Sequence, residues 1–509
     1  MNILTVAAAL PVRPPVYIYG AGETGRHALA LIEEHFSLPV TAFLDSYRSG
    51  VLAGRPVLQV DAFLEGPPAD ALVVIASQFW RDISALLAAR GFYRFHNLRL
   101  SPLTHRNLLH FRHAMGKPSP NALSDADASP PPTSAGTDAS PPDGKAGRDL
   151  VGIAFREDCL VDLPLTSRCN LKCTYCHHAF LPNDAWSDTP EWLYEMVTRL
   201  LRPYPRALLE LGGGDGETTL RKDWQQKCLP LIERGGRLRI TTNLSRTLRW
   251  DEAETLSFFH RISVSLDTAD GELLKRIRIG ANLGKIVHNI AQIRAAALAA
   301  GREPPEFNIQ GVVTNATAGQ VDRLVSLVAS LGLTNVRLIA LGGTPADPRV
   351  SNVSALSPEE RKAAAQAIER AFLIGIANTM HVECDPDIID RLFGAAPADG
   401  PDSPGTPAPK AAPRAAPRSA EEIMTRNCVD PWNHLVFYSN GDVASCCYAA
   451  ARHKPNQQAA SMDEIFNAGP IRALRAALLD GNLPEACRAC IGKPLVPVAE
   501  LRQRIGGMA

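Results

Sequence analysis

No sign of charge dominates this 509-residue sequence, in which 53 basic residues meet 53 acidic ones. That balance removes any global pull toward nucleic acid or anionic lipid, and neither is expected as a partner. No apolar run is long enough to span a bilayer. The opening MNILTVAAALPVRPPVYIYG carries neither the basic leader nor the cleavage pattern of a secretion signal, so a cytoplasmic chain is expected. Disulfide frameworks are rare in that compartment, and clustered cysteines there read as metal or catalytic ligands. There are eleven cysteines and 45% hydrophobic residues. The length exceeds one ordinary core, which points to two to four domains. No internal repeat is visible.

Two stretches are too poor in large apolar groups to build a core. Residues 117–148 and 395–418 are rich in Pro, Ala, Ser and Gly, and extended, mobile linkers are expected there. The chain then divides into regions 13–113, 150–394 and 420–495, joined by linkers at 114–149 and 395–419.

The first region opens on PVYIYGAGETGRHALALIEEHF, a strand, then Gly20, Gly22 and Gly25 in a G-x-G-x-x-G turn, then a helix. A Rossmann-type phosphate turn has this order. VTAFLDS supplies a second strand ending in Asp45, about twenty residues on, where an acidic group can meet a ribose hydroxyl. The region either binds a nucleotide-type ligand or serves only as a docking fold. YGAGETGR resembles the N-terminal sugar-nucleotide-binding domains of some sugar-modifying enzymes, a likeness of architecture that fixes no ligand.

The middle region alternates short apolar strands with amphipathic segments at βα spacing. CLVDLPLT, RALLELGG, RLRITTN, RISVSLD, FNIQGVVTN and NVRLIAL read as six strands. Six βα units predict a partial (β/α)6 TIM-type barrel, with ligands collecting at the carboxyl ends of the strands.

Directly after the first of these strands comes LTSRCNLKCTYCHHAF, with Cys169, Cys173 and Cys176 spaced by three and then two residues. A structural zinc needs four ligands, and His177 or His178 could complete three thiols. A [4Fe–4S] cluster also takes four. If only three irons are held by protein, the fourth is free for a substrate or cofactor. The loop stands where a barrel builds its active site, which favours iron.

The Cys-x3-Cys-x2-Cys spacing, with aromatic Tyr175 before the last cysteine, resembles the radical S-adenosylmethionine (radical SAM) superfamily over about 150–345. LGGGDGETTL is similar to its Gly-Gly-Glu motif: Gly216 and Glu217 match, while Asp215 and Thr218 depart from it. The resemblance implies a [4Fe–4S] cluster on Cys169, Cys173 and Cys176 whose open iron chelates S-adenosylmethionine. One-electron cleavage would then give methionine and a 5′-deoxyadenosyl radical. It implies that Glu217 faces the methionine ammonium and that Thr242 and Asn243 stand at the same mouth. Ser265 and Asp267 would meet ribose or methionine, Arg278 would pair with the methionine carboxylate, and Asn315 would end the fifth strand. Singly, each strand-end polar residue can equally cap a helix.

The last region holds Cys428, Cys446 and, in CRAC, Cys487 and Cys490, with Gly441 in a hairpin turn. Alone, four thiols fit a zinc ribbon. After a radical SAM barrel they resemble the SPASM/twitch extension, and the resemblance implies a second, fully ligated [4Fe–4S] cluster suited to electron transfer. Cys447 adjoins Cys446, and only one of two neighbours on a strand can face the cluster; Cys446 fits the family spacing. Cys159, Cys228, Cys384 and Cys447 read as small buried thiols.

Together these features imply an α/β radical enzyme that oxidises or rearranges a small polar molecule, a sugar, cyclitol or nucleotide-linked sugar. It would draw on an electron donor such as flavodoxin or ferredoxin. A peptide-modifying enzyme is the second reading, and a two-zinc scaffold the third. His177, His178 and Asp267 are too generic to single out a base.

Overall fold

The computed structural model describes residues 13–34, 38–77, 80–97, 104, 107–108, 111, 114, 149–176, 186–213, 216–342, 345, 347–393, 423–446, 451–488, 490 and 493–506. His177, His178, Asp215, Cys447 and all but the edges of both expected linkers lie outside them. The described residues fall in two compact units. One draws on Met1–Ser134, Gly311–Ala340 and Asn352–Gly394, the other on Ala135–Gln310, Leu341–Ser351 and Ala395–Ala509.

The first unit begins with β1 (Val16–Tyr19), β2 (Val40–Asp45), β3 (Gly50–Leu52), β4 (Arg55–Gln59), β5 (Leu72–Ile75) and β6 (Phe95–Asn97). They form one sheet in the order β3-β4-β2-β1-β5-β6, parallel except at β3–β4. The apolar strands VYIY and LVVI are buried throughout, as expected of central parallel strands covered on both faces. The strand order reverses beside β1, at the carboxyl end of which the glycine turn leads into the helix Glu23–Glu34.

Further along the chain come β7 (Leu160–Asp162), β8 (Lys172–Cys173), β9 (Leu208–Glu210), β10 (Arg237–Thr242), β11 (Arg261–Ser265), β12 (Arg278–Ile279) and β13 (Glu306–Val313). After them come β14 (Asn335–Ala340), β15 (His381–Cys384), β16 (Met424–Arg426), β17 (His434–Phe437), β18 (Val443–Ala444) and β19 (Leu495–Pro497). The six strands expected from sequence are β7, β9, β10, β11, β13 and β14, giving an α/β fold with a partial-barrel core. In the first unit β14 and β15 pair in parallel. Thr104 Oγ1 accepts from the Val382 amide at 3.0 Å and donates to the Met380 carbonyl.

In the second unit the order is β13-β11-β10-β9-β7-β17-β18. All neighbours are parallel except the β17–β18 hairpin. The C-terminal segment therefore contributes β17 directly beside β7. It is fastened there by Arg475, a fully buried guanidinium that donates to the carbonyls of Pro431, Val151 and Phe466 and to Asn467 Oδ1 at 2.7–2.9 Å. Burial pushes this guanidinium down to about 10, since carbonyl dipoles replace a carboxylate partner poorly. Among the described residues, no helix is long and apolar enough to cross a membrane.

Candidate metal centre and cofactor site

The cysteine loop leaves β7 and is held by its own backbone before any side chain acts. Lys172–Cys173 pairs antiparallel with Arg278–Ile279, which sets Cys173 opposite Arg278. The Thr174 amide donates to the Ile277 carbonyl at 2.9 Å, and the Cys176 amide to the Cys173 carbonyl at 3.1 Å. Gly280, at φ +97°, passes close under Asn170, and an added Cβ would stand 3.1 Å from that residue's carbonyl oxygen. Glycine meets both demands.

Three side chains from three elements then meet behind the thiols. Arg278 makes a two-pronged ion pair with Asp267, 2.9 Å on each prong, and Asp267 has no exposed side-chain surface. The Tyr175 hydroxyl donates to the same carboxylate at 2.7 Å, and the Arg278 guanidinium lies over the Tyr175 ring at 5.4 Å. Burial works against the Arg278 charge, but Asp267 more than offsets it and keeps the guanidinium protonated. Burial likewise lifts the Tyr175 phenol well above its ordinary value. The third prong, Nη1, points at Cys173 Sγ at 3.9 Å.

A second network organises the opposite wall. Gly216 sits at φ +85°, where an added Cβ would collide with the Thr166 carbonyl oxygen. Its neighbour Glu217 is 1% exposed. The Glu217 carboxylate accepts from Thr242 Oγ1 at 2.8 Å, the Asn243 amide at 2.8 Å and Thr219 Oγ1 at 2.7 Å. Asn243 Nδ2 in turn reaches Asn170 Oδ1 at 2.9 Å and Cys169 Sγ at 3.8 Å.

Three expected partnerships therefore differ. The Arg278 fork, expected on a ligand carboxylate, is engaged with Asp267, because a buried guanidinium needs an anion whether or not a ligand is bound. Glu217 and Asp267, expected to face ligand groups, are turned onto the chain itself. Ser265 ends β11 half-buried, and Asn315 is half-buried in the turn after β13, within the first unit. Asn170, whose amide oxygen anchors Asn243, was not singled out from sequence. Its only signal was its place beside Cys169.

Burial pushes Cys173 up to about 12, with Cys169 and Cys176 adding to the rise, and raises Cys169 as well. Among the described residues no three His, Cys, Asp or Glu side chains form a ready-made metal cage, so the fit of a cluster rests on the donor set. Three soft thiols share one loop, with Cys173 near enough to feel the charge of the other two, and N–H donors from Asn243 and Arg278 point at two of them. Soft sulfur ligands with N–H donors around them suit an iron–sulfur cluster.

The C-terminal thiols sit in a different environment. Cys446 and Cys487 pack with Trp432, Leu474, Leu478 and Leu501. Burial lifts Cys428 to about 12 and Cys487 to about 11; Cys446 adds to both, and Cys490 to Cys487. The Cys490 amide donates to the Cys487 carbonyl at 3.4 Å.

In the N-terminal unit Gly20 sits at φ +121°, and an added Cβ on Gly25 would collide with the Gly20 carbonyl, so strand and helix touch at this point. Gly22 is exposed. Asp45 is turned inward: it accepts from the Ala21 amide at 3.1 Å, the Tyr47 amide at 2.9 Å and the Arg48 amide at 3.1 Å.

Known proteins match the two cysteine-bearing regions. Residues 163–300 match the family model of the radical SAM superfamily, and residues 428–491 that of the SPASM iron–sulfur cluster-binding domain. A probable GTP 3′,8-cyclase of Archaeoglobus fulgidus is 29% identical over 177 residues, 35% of this chain and 57% of the relative. The GTP 3′,8-cyclase of Mycolicibacterium smegmatis is 32% identical over 155 residues, 28% of this chain and 40% of the relative. The chain thus spans about half the length of the curated relatives it matches. The crystal structure of Streptococcus suis SuiB bound to S-adenosylmethionine overlays with a TM-score of 0.44 at 14% identity, covering 63% of this chain and 68% of that one. The matched domains imply iron–sulfur clusters and S-adenosylmethionine as cofactors, and the chain carries, in order, a radical SAM superfamily domain and a SPASM iron–sulfur cluster-binding domain.

Proposed function

We propose that the chain is a radical SAM enzyme acting on a small polar molecule, a sugar, cyclitol or nucleotide-linked sugar, with a net oxidation assisted by the C-terminal cluster. The observation that carries this reading is the three-thiol loop at the end of β7, backed by the Tyr175–Asp267–Arg278 group and faced by the Glu217–Thr242–Asn243 network. Cys169, Cys173 and Cys176 hold one cluster; Cys428, Cys446, Cys487 and Cys490 hold the second. When bound, the first cluster and S-adenosylmethionine supply hydrogen-atom abstraction from an unactivated carbon.

The chain's own residues do the rest. Arg278 steadies the Cys173 sulfur, Asn243 the Cys169 sulfur, and Glu217 fixes Thr242 and Asn243 at the mouth. The curated relatives named as GTP cyclases favour a nucleotide or nucleotide-like substrate over a peptide. Residues 13–113 form the nucleotide-binding segment, 150–394 the radical SAM segment and 420–495 the auxiliary-cluster segment. An electron donor of the flavodoxin or ferredoxin kind reduces the protein in the cytoplasm.

The test is iron and sulfide content after anaerobic reconstitution, in wild type and in Cys169/Cys173/Cys176→Ala. About eight irons per chain, falling to about four in the triple variant, are expected for two cubane clusters. Reductive cleavage of S-adenosylmethionine by wild type alone is expected with it. Two zincs and no iron would overturn the reading.

A further inference from the structure

One face of the second unit's sheet is unusual for parallel strands. Val161, Leu209, Ile240, Ile262 and Ile309 alternate onto the apolar face. On the opposite face the register aligns Asp162 of β7 with Glu210 of β9 and Arg239 of β10. His434 of β17, in register with Leu160 two residues before Asp162, reaches up to the row, its Nε2 2.9 Å from Asp162 Oδ2. Glu210 is 4% exposed, and Arg239 Nε lies 3.2 Å from its Oε2. One rung higher stand Thr241, Ser263 and Asn308. Gly213 lies beside the row: a Cβ there would stand 3.6 Å from Asp162 Oδ2.

Four buried atoms on this face have no hydrogen-bond partner among the described residues: the acceptors Asp162 Oδ1 and Glu210 Oε1, the donor Arg239 Nε and the hydroxyl Ser263 Oγ. Buried acceptors are almost always satisfied, so orphans in one patch mark the place of a ligand or ordered water. Burial, and next the Asp162 charge, raise Glu210 to about 7, with Arg239 and Thr241 opposing. His434 is held above its ordinary value by Asp162 despite its burial.

The chemistry narrows what can fill the patch. Two carboxylates repel an anion, and Arg239 beside Glu210 disfavours a metal ion. Arg239 and His434 together nearly balance the carboxylates, so no strong cation is demanded. The orphaned carboxylate oxygens need hydrogen-bond donors and Arg239 Nε needs an acceptor, and a hydroxyl can be both. Adjacent strands are about 4.8 Å apart, whereas same-side amides of an extended peptide recur at about 6.6 Å. Hydroxyls or amines on neighbouring ring carbons fall within the shorter span.

We propose that Asp162 and Glu210 form the floor of a binding site for a small polyol or aminated polyol, whose O–H and N–H donors they accept, with Arg239 and His434 as positioning residues. This deepens the functional reading above and rests on it.

Saturation-transfer NMR with myo-inositol and glucosamine, on the cluster-loaded full chain, tests the site without turnover. At least one probe is expected to give a signal that falls about ten-fold in Glu210→Gln and in Asp162→Asn, the effect of losing a charged acceptor. Asp322→Asn, which loses an ion pair with Arg370 away from this row, should leave it unchanged. The wild-type signal should rise from about pH 6 to about pH 8 as Glu210 ionises, and Glu210→Gln should lose that rise. This profile stands even if a variant folds poorly. No signal from either polyol, a signal indifferent to Glu210 and Asp162, or a Glu210-dependent signal from an extended peptide alone would overturn the proposal. S-adenosylmethionine cleavage in the same preparation separates the outcomes. If it is absent while polyols bind, the functional reading fails; if it is present without polyol binding, only this inference fails.

Discussion

The two cysteine sites make a useful contrast. The loop at Cys169–Cys176 has three thiols with charged and amide groups behind them, Arg278 and Asn243 each aiming an N–H at a sulfur. The C-terminal set has four thiols, and its neighbours are Trp432 and leucines. On the function proposed above, the three-thiol site with polar walls would leave one iron for a ligand and orient it, and the four-thiol site in an apolar wall would be closed and suited to passing electrons. The difference lies as much in the surroundings as in the number of cysteines, because hydrogen bonds and burial tune a cluster's potential.

The strongest way to break the contrast is to remove the closed site alone. Cys428/Cys446→Ala should lose about four irons per chain and leave the first cluster intact, measured as iron content with the cleavage of S-adenosylmethionine retained. Loss of all iron would mean that the sites do not assemble independently.

Next in size is Asp267→Asn. It strands Arg278 as a buried charge at a cost of about 3–5 kcal/mol, read by denaturant unfolding. It should also release the cysteine loop, so iron per chain should fall at the first site only. A neutral effect would mean that solvent reaches Arg278 and the wall is not closed.

Gly216→Ala should cost about 1–3 kcal/mol through left-handed strain and its clash with Thr166. The same change at Gly22, which has open space around it, should cost less. Unfolding midpoints of the two variants make the comparison.

The smallest effect concerns pH. Glu210 is lifted in the folded chain to about 7 from 4.5. The folded state therefore holds a proton that the unfolded state releases, and stability falls as pH rises through that window. Glu210→Gln should flatten this part of the stability–pH curve, measured as the unfolding midpoint between those two values. A curve unchanged by the substitution would mean that Glu210 is already ionised.

Much of this was legible in the sequence because strands alternate and cysteine spacing is local. VVTN, ITTN and LELGG announced strand ends, and Cys169-x3-Cys173-x2-Cys176 announced ligands within one loop. The partners of those ligands were not legible. Arg278 is more than a hundred positions from Cys173, and nothing in LKRIRIG says that its fork closes on Asp267. The polar row of Asp162, Glu210, Arg239 and His434 was equally hidden. Each residue reads as an ordinary strand charge until three strands bring Asp162, Glu210 and Arg239 into register and His434 reaches across to Asp162.

The sequence by itself determined where the strands and cysteines fall and which side chains lie at strand ends, since hydrophobic periodicity and short ligand spacing act within a few residues. Only the tertiary structure decided that Glu217, Asp267 and Asp45 serve the chain's own loops, while Asp162 and Glu210 keep oxygens that are unsatisfied among the described residues. The physical reason is that a buried charge takes whichever partner the fold brings within reach, and that partner is set by strand register across the sheet.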